Sequence, residues 1–249
     1  MNIAVCVKQT ADTESQPILS SDQSRMIDDG LVWIINPHDE SAIEVAIQLR
    51  DEHGGAITLF ALGPDRVESA LRQGLAMGAD EAIHLRCDSM PDDQKIVADL
   101  LSDSLRSHDF DLILAGEMAI DGAGAQVPQR LGVLLDWPSI TGVEELNITQ
   151  NQLTARQPVE QGDRIHVCQL PVVIGINRRI MEPRYPSFKG IMKAKRKTIH
   201  VENVVLASSQ LNIESLELSK SRSGGEILTY EEGVARKVIS LMREHTNVI

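Results

Sequence analysis

The chain is poor in aromatic residues: Phe, Trp and Tyr make up 3% of its 249 residues. A core must therefore be built from Leu, Ile, Val and Ala, which a hydrophobic content of 42% permits, at a length that suits one large or two small domains. Cysteine is scarce. Cys6, Cys87 and Cys168 are odd in number and show no CxxC spacing, which argues against a disulfide framework or a zinc site and fits a reducing compartment. No apolar run reaches the ~18 residues of a membrane span. Met1-Asn-Ile-Ala-Val-Cys-Val enters a strand-like segment with no basic leader, so a cytoplasmic location is expected. Positive charge is short overall, and a net charge of −12 argues against nucleic-acid binding. The motifs GxSxG, HExxH and GxxxxGK[ST] are absent. The seven His residues are scattered, and no obvious acid–base pair stands out. No catalytic residue and no metal ligand is therefore assigned, and an enzyme is not expected.

What is present is a repeated alternation of apolar strands and amphipathic helices. Residues 2–7, 56–62, 81–85 and 111–115 read as strands. Residues 40–52, 66–77 and 93–106 read as helices, each with one apolar face. Gly78 stands as a C-cap, and Asp39 or Ser41 as the cap of the first helix. Residues 8–29 are polar and read as a loop or small hairpin, and 31–35 as a second apolar run. This spacing predicts βαβ units and a parallel sheet covered by helices. Ligands then bind at the carboxyl ends of strands. Residues 6–8, 36–39 and 61–64 leave strand ends there, and so does the stretch Gly116-Glu-Met-Ala-Ile-Asp-Gly-Ala-Gly-Ala-Gln-Val-Pro-Gln129. The last is glycine-rich and opens a helix, as a phosphate cradle does. Gly122 and Gly124 let the backbone approach a ligand, and Gln126 offers a side-chain donor.

After Trp137-Pro138 the texture changes. Residues 140–148, 152–157, 164–169 and 172–176 read as strands, the middle pair as a hairpin around 160–163. From Asn177 to Lys197 eight Lys or Arg face one acid, Glu182. That window carries +7 while the rest of the chain carries −19, the pattern of a contact surface. Residues 208–210 and 219–225 have linker composition, and 230–244 read as a last helix that must dock on its own core or on a partner.

The blocks Val5-Cys-Val-Lys8, Asp29-Gly30, Asn36-Pro-His-Asp39, Leu75-Ala-Met-Gly-Ala-Asp80, Ala119-Ile-Asp-Gly122, Asp136-Trp-Pro138, Leu170-Pro-Val-Val173, Glu182-Pro-Arg-Tyr185 and Ile191-Met-Lys-Ala-Lys195 occur in this order. Together they resemble the β subunit of electron transfer flavoproteins, over about residues 1–200. The resemblance implies an α/β fold, a parallel-sheet nucleotide-binding domain (adenine-nucleotide hydrolase-like) with a small β-hairpin insertion and an extended C-terminal arm. It divides the chain into residues 1–200, including a basic recognition loop at 178–197, and residues 201–249, an arm and helix docking on the partner subunit.

It also implies a role. Such a subunit pairs with an α subunit in a heterodimer, shares the redox-active FAD with it, accepts electrons from acyl-CoA-type flavin dehydrogenases and passes them on singly. The β-subunit site carries AMP in simple carriers, or a second FAD in electron-bifurcating members. Carried onto this chain, the nucleotide site is Cys6, Asn36, Pro37, His38, Asp39, Leu62, Asp121, Gly122, Ala123, Gly124, Ala125, Gln126 and Val127. The partner site is Tyr185, Phe188, Lys189, Ile191, Met192 and Lys193, with Phe188 as the apolar anchor. Asp121-Gly122 and Ala125-Gln126-Val127 match the bifurcating pattern. Ala123 and Gly124 replace its Asp and Thr, and Pro128 its Gly, which tips the expectation towards AMP. A reading of another class is a stand-alone adenine-nucleotide sensor; an ATP-using ligase would need a pyrophosphate-binding Ser-Gly-Gly loop after the first strand, and Lys8-Gln-Thr-Ala11 is not one. The donating dehydrogenase, the final acceptor and the pathway are not written in the sequence.

Overall fold

The computed structural model describes residues 1–218 and 227–245. The linker-like stretch at 219–225 lies outside them. The first half of the chain runs β1 (Asn2–Cys6), β2 (Gln9–Ala11), β3 (Ile18–Leu19), β4 (Met26–Ile27), β5 (Trp33–Ile35), α1 (Pro37–His53) and β6 (Ala56–Gly63). A 3-10 turn at Asp65–Val67 leads into α2 (Glu68–Met77), then β7 (Glu81–Arg86), α3 (Gln94–Leu105) and β8 (Leu112–Gly116). Next come α4 (Val127–Leu135), β9 (Ser139–Val143), β10 (Glu145–Thr149), β11 (Gln152–Val159), β12 (Gly162–Gln169) and β13 (Val172–Ile176). The chain closes with α5 (Phe188–Ala194), β14 (His200–Asn203) and α6 (Val234–His245).

Seven strands form one parallel sheet in the order β14-β7-β6-β1-β8-β13-β9. The run of Ile3, Ala4 and Val5 is fully buried because both faces are covered, which is why it reads as continuously apolar rather than alternating. One face packs on α1 and α2 through Ile43, Ile47, Leu71 and Leu75. The other packs on α3 and α4 through Leu101, Leu105 and Leu131. Phe60 at the sheet centre meets Phe110 edge-on, with ring centroids 5.7 Å apart, one of few aromatic contacts in an aliphatic core. From β1 the chain steps to β6 on one side, and β8 lies on the other. The β1–β8 boundary is thus a topological switch point, the place where open parallel sheets hold their ligands.

Three local expectations are corrected. Residues 140–148 are two strands rather than one. Gly142, at φ +66°, and the turn at Glu144 send β9 into the parallel sheet and β10 into a separate antiparallel sheet with β11 and β12. Neither Asp39 nor Ser41 caps α1. The helix starts earlier, with Pro37 in its first turn and Asn36 as N-cap residue, and the Asn36 side chain makes no capping bond. The basic window is not wholly loop, since it contains α5, capped by Ser187 Oγ on the Gly190 N–H at 3.0 Å. The polar stretch after β1 does form a small hairpin, β3 against β4. The run at 31–35 pairs only with β2.

Candidate nucleotide crevice and docking segment

The crevice is knitted by side chains that bond across loops. Asp39, in the first turn of α1, is 4% exposed. Its Oδ2 accepts from the Lys8 N–H at 2.7 Å and its Oδ1 from the Gly116 N–H at 2.8 Å, so one carboxylate joins the ends of β1 and β8. Burial dominates and pushes this carboxyl up to about 7, against the opposing pull of the Lys8 and Gly116 N–H groups, Asn36 and the Lys8 charge. Asn36 does the same work for the next loop: its Nδ2 donates to Met118 O at 2.9 Å and its Oδ1 accepts from the Ile120 N–H at 3.2 Å. That is why it is not available to cap its own helix. Gly116 allows this close approach, because a Cβ there would lie 2.3 Å from Asp39 Oδ1 and 2.6 Å from His38 Cβ.

Above this floor the loop from Asp121 to Val127 is mostly exposed. Ala123 (φ +47°) and Ala125 (φ +50°) are left-handed, so the conformation usually given to glycine falls on the two alanines and not on Gly122 or Gly124. Gly122 has open space around its α-carbon. A Cβ on Gly124 would lie 1.6 Å from Gln94 Nε2, and Gln94 Oε1 accepts from the Gln126 N–H at 2.9 Å. Gln94, at the start of α3, is thus a member of the crevice that sequence reasoning missed. Its only signal is a polar residue following the helix cap Asp93. The Gln126 side chain is turned away from the loop, its Oε1 accepting from Arg130 at 2.8 and 3.0 Å.

Lys8 Nζ reaches across the mouth to both oxygens of Asp121, each at 2.7 Å. Arg66 stands at the same rim: its guanidinium lies 3.4 Å from the Trp33 ring centroid and donates to Gln9 Oε1 at 2.7 Å. Burial lowers the Arg66 pKa, opposed first by Asp28, whose Oδ2 lies 3.4 Å from Nε, and then by Asp121. Neither Arg66 nor Trp33 was legible as a crevice residue, because they meet only when the β5 and β6 loops are folded together.

Cys6 and Leu62 lie beneath the loop, packed with Ala115. Burial raises the Cys6 thiol strongly, with Asp39 adding to it, so it is a packed hydrophobe and not a nucleophile. His38 belongs to the opposite flank. Its Nδ1 accepts from the Arg178 N–H at 3.2 Å and lies 3.6 Å from Glu117 Oε1. Burial lowers its pKa more than Glu117 raises it, so the ring is neutral at neutral pH. Pro37 sets the start of α1, and Val127 the start of α4.

The arrangement suits an anionic group in three respects. The backbone at Gly124–Gln126 comes to the positive end of α4, Lys8 and Arg66 supply cations at the rim, and the Gly116 approach leaves the strand ends free of a side chain. Among the described residues no group of three or more His, Cys, Asp and Glu side chains is placed to hold a metal ion.

The basic segment is a separate candidate for docking. Tyr185 is 91% and Phe188 81% exposed, so Phe188 does not pack on its own domain. Ile191 and Met192 are also exposed, as are Lys189 and Lys193. Apolar tips ringed by lysines have the composition of a recognition patch. On α6, Val238, Ile239 and Met242 remain exposed. No described helix is long and apolar enough to cross a membrane.

The family described as "Electron transfer flavoprotein domain" matches residues 24–207. The chain is 38% identical over 261 aligned positions to the electron transfer flavoprotein subunit beta of Bacillus subtilis (strain 168), covering 100% of both chains. It is 35% identical to the subunit of that name from Syntrophomonas wolfei, covering 100% of this chain and 98% of the relative. With that of Megasphaera elsdenii it shares 32% identity, over 98% and 97% of the two chains.

Proposed function

The chain belongs to the electron transfer flavoprotein family as a beta subunit, and from that premise we propose how its two surfaces divide the work of an electron carrier. With its α subunit it forms a heterodimer that shares one FAD. The complex takes electrons from an acyl-CoA-type flavin dehydrogenase and releases them singly, in the cytoplasm. FAD supplies the electron chemistry when bound. What this chain contributes is a nucleotide-binding crevice, a docking segment centred on Phe188, and an arm with α6 that docks on the α subunit. The role is that of a carrier and not of a catalyst.

In the crevice we place AMP. The loop backbone at Gly124 and Ala125, together with Lys8 and Arg66, suits its phosphate. Asn36 and Asp39 hold the loops around it. The observation that carries this choice is the pair Gly124 and Gln94. Gln94 takes the Gln126 N–H and its carboxamide occupies the space where a side chain at 124 would begin, and with Ala123 beside Gly124 the loop offers neither the carboxylate nor the hydroxyl of the bifurcating pattern. The second reading, a further FAD and electron bifurcation, draws on Asp121-Gly122 and Ala125-Gln126-Val127.

The test is co-purification with the α subunit followed by acid release of cofactors. One FAD and one AMP per heterodimer is the expected result. Two flavins and no AMP would move the chain to the bifurcating reading, and a colourless complex would end the flavoprotein reading altogether.

A further inference from the structure

The segment that carries Tyr185 and Phe188 is tethered at both ends. Glu44, two turns into α1, is 4% exposed. Its carboxylate accepts three hydrogen bonds from Arg184: from the backbone N–H at 3.2 Å, from Nε at 2.8 Å and from Nη2 at 2.9 Å. Gln48 Nε2 adds a fourth, to Oε1, at 3.0 Å. One turn earlier, Ser41 Oγ lies 3.3 Å from the Pro37 carbonyl oxygen of its own helix and 3.4 Å from those of Arg178 and Met181, with one proton to share among them. At the start of the helix His38 Nδ1 accepts from the Arg178 N–H. Residues 38, 41 and 44 recur at intervals of three and share one stripe of α1, and that stripe holds the chain from 178 to 184. The exposed Tyr185 follows at once.

The far end is held by α2. Arg72 Nη1 donates to the Ala194 carbonyl at 2.8 Å and also to that of Lys197. Lys197 Nζ donates to the carbonyls of Ala79 and Asp80 at 2.6 and 2.9 Å. Gly190 lies so close to α2 that a Cβ would sit 2.3 Å from the Ala76 carbonyl oxygen. The apolar and basic tips between these anchors face outward.

Burial raises the Glu44 carboxyl, but the hydrogen bonds from Arg184 and Gln48 outweigh it and hold the group below its usual range, so the pair is formed in the folded chain. A buried carboxylate carries a large desolvation cost, and apolar residues of similar volume commonly serve as well or better. A bidentate guanidinium provides direction instead: its planar fork admits one orientation. The Arg184 side chain is 43% exposed while that of Glu44 is 5%, so the pair is rooted in the domain and opens towards the surface. We propose that Glu44 is a positioning residue for partner docking, which sets, through Arg184, the angle at which Tyr185 and Phe188 leave the domain. The proposal rests on the docking role given to Phe188 above.

The test uses the complete αβ complex with FAD bound, reduced by an acyl-CoA dehydrogenase at varied carrier concentration. Glu44→Gln keeps the shape and loses the charge. Arg184→Lys keeps the charge and loses the fork. Each is expected to raise the KM for the carrier by roughly ten-fold while kcat stays within about two-fold. FAD content and direct reduction by dithionite are expected to match the unmodified complex. Phe188→Ala is run alongside. If Phe188→Ala raises KM and neither of the other variants does, the positioning role is overturned and docking stands. If Phe188→Ala leaves KM unchanged, the docking role itself fails. A KM that rises only in step with lost FAD also overturns the proposal, since Glu44 would then be serving the fold.

Discussion

Asp39 Oδ1 accepts the Gly116 N–H at 2.8 Å, which binds the first turn of α1 to the end of β8 across the switch point. Through Oδ2 the same carboxylate holds Lys8 at the end of β1. The crevice is therefore framed by one buried acid, and several of its properties can be tested through that acid and its neighbours.

Gly116→Ala puts a methyl group where Asp39 Oδ1 and the His38 Cβ already sit. Asp39 is held at both carboxylate oxygens and the His38 Cβ is fixed on its backbone, so neither swings aside and the backbone must part. A loss of about 1–3 kcal/mol in urea unfolding is expected, together with loss of AMP on gel filtration. Unchanged stability and unchanged AMP content would show that the β8 end yields more easily than its packing implies.

Asp39→Asn tests the raised carboxyl. A folded-state pKa of about 7 lies above the unfolded value of 3.8, so the folded chain binds more protons than the unfolded chain between them. Stability from this group is complete below pH 4 and is lost as pH rises to 7. The unmodified chain should lose stability relative to Asp39→Asn between pH 5 and pH 7.5 in paired urea melts. A constant difference across that interval would mean that the two N–H bonds keep Asp39 ionised.

Ala123→Gly and Ala125→Gly relieve left-handed backbone at alanine. Each is expected to stabilise the chain by up to about 1 kcal/mol, measured as a higher urea midpoint with unchanged slope. Gly122→Ala provides the contrast, as its surroundings are open and its φ is not positive. It should alter stability by no more than roughly 0.5 kcal/mol.

Lys8→Met removes the cation at the rim and frees Asp121. The pair is about one-third exposed on each side, so folding stability should change by less than about 1 kcal/mol. A charge-assisted bond to phosphate counts for more, and AMP affinity in the complex should fall by roughly ten-fold in calorimetry. Equal affinity with and without Lys8 would place the phosphate elsewhere in the crevice.

Phe188→Ala deletes the anchor proposed for the dehydrogenase. At 81% exposure the side chain contributes little to folding, and urea stability should stay within about 0.5 kcal/mol. Electron uptake from the dehydrogenase should weaken by roughly thirty-fold, as for a hot-spot residue costing about 2 kcal/mol. The visible spectrum of the flavin should not change.

Much of the fold was determined by local pattern. Continuous apolar runs such as Asn2–Cys6 and Val172–Ile176 announce buried parallel strands, and the faces of α2 and α3 announce amphipathic helices. Those signals arise from periodicity within a few residues, which the sequence displays directly. The crevice was legible as a set of strand ends, because in a parallel sheet the carboxyl ends lie on one side. Where local signals compete, sequence reading failed. Asn36, Asp39 and Ser41 are all sound capping residues, and only the position of Met118, Ile120, Lys8 and Gly116 decides that Asn36 and Asp39 bond outward instead. The segment 140–148 is apolar enough for one strand, and it is the separate pairing of β9 and β10 that divides it.

The stretch from Gly116 to Gln129 shows the same boundary. Its composition determined a turn between strand and helix that suits an anion. Tertiary structure decided which residues bear the left-handed conformation, that Gln94 closes over Gly124, and that Lys8 meets Asp121 from 113 positions away. Likewise the sequence determined a basic window, while the fold sorted its charges. Arg184 and Lys197 are used as anchors, and Phe188 stands outward among the lysines that remain exposed. Periodicity is a property of neighbours along the chain. Partner choice among polar groups belongs to neighbours in space, and for those the sequence holds no distance.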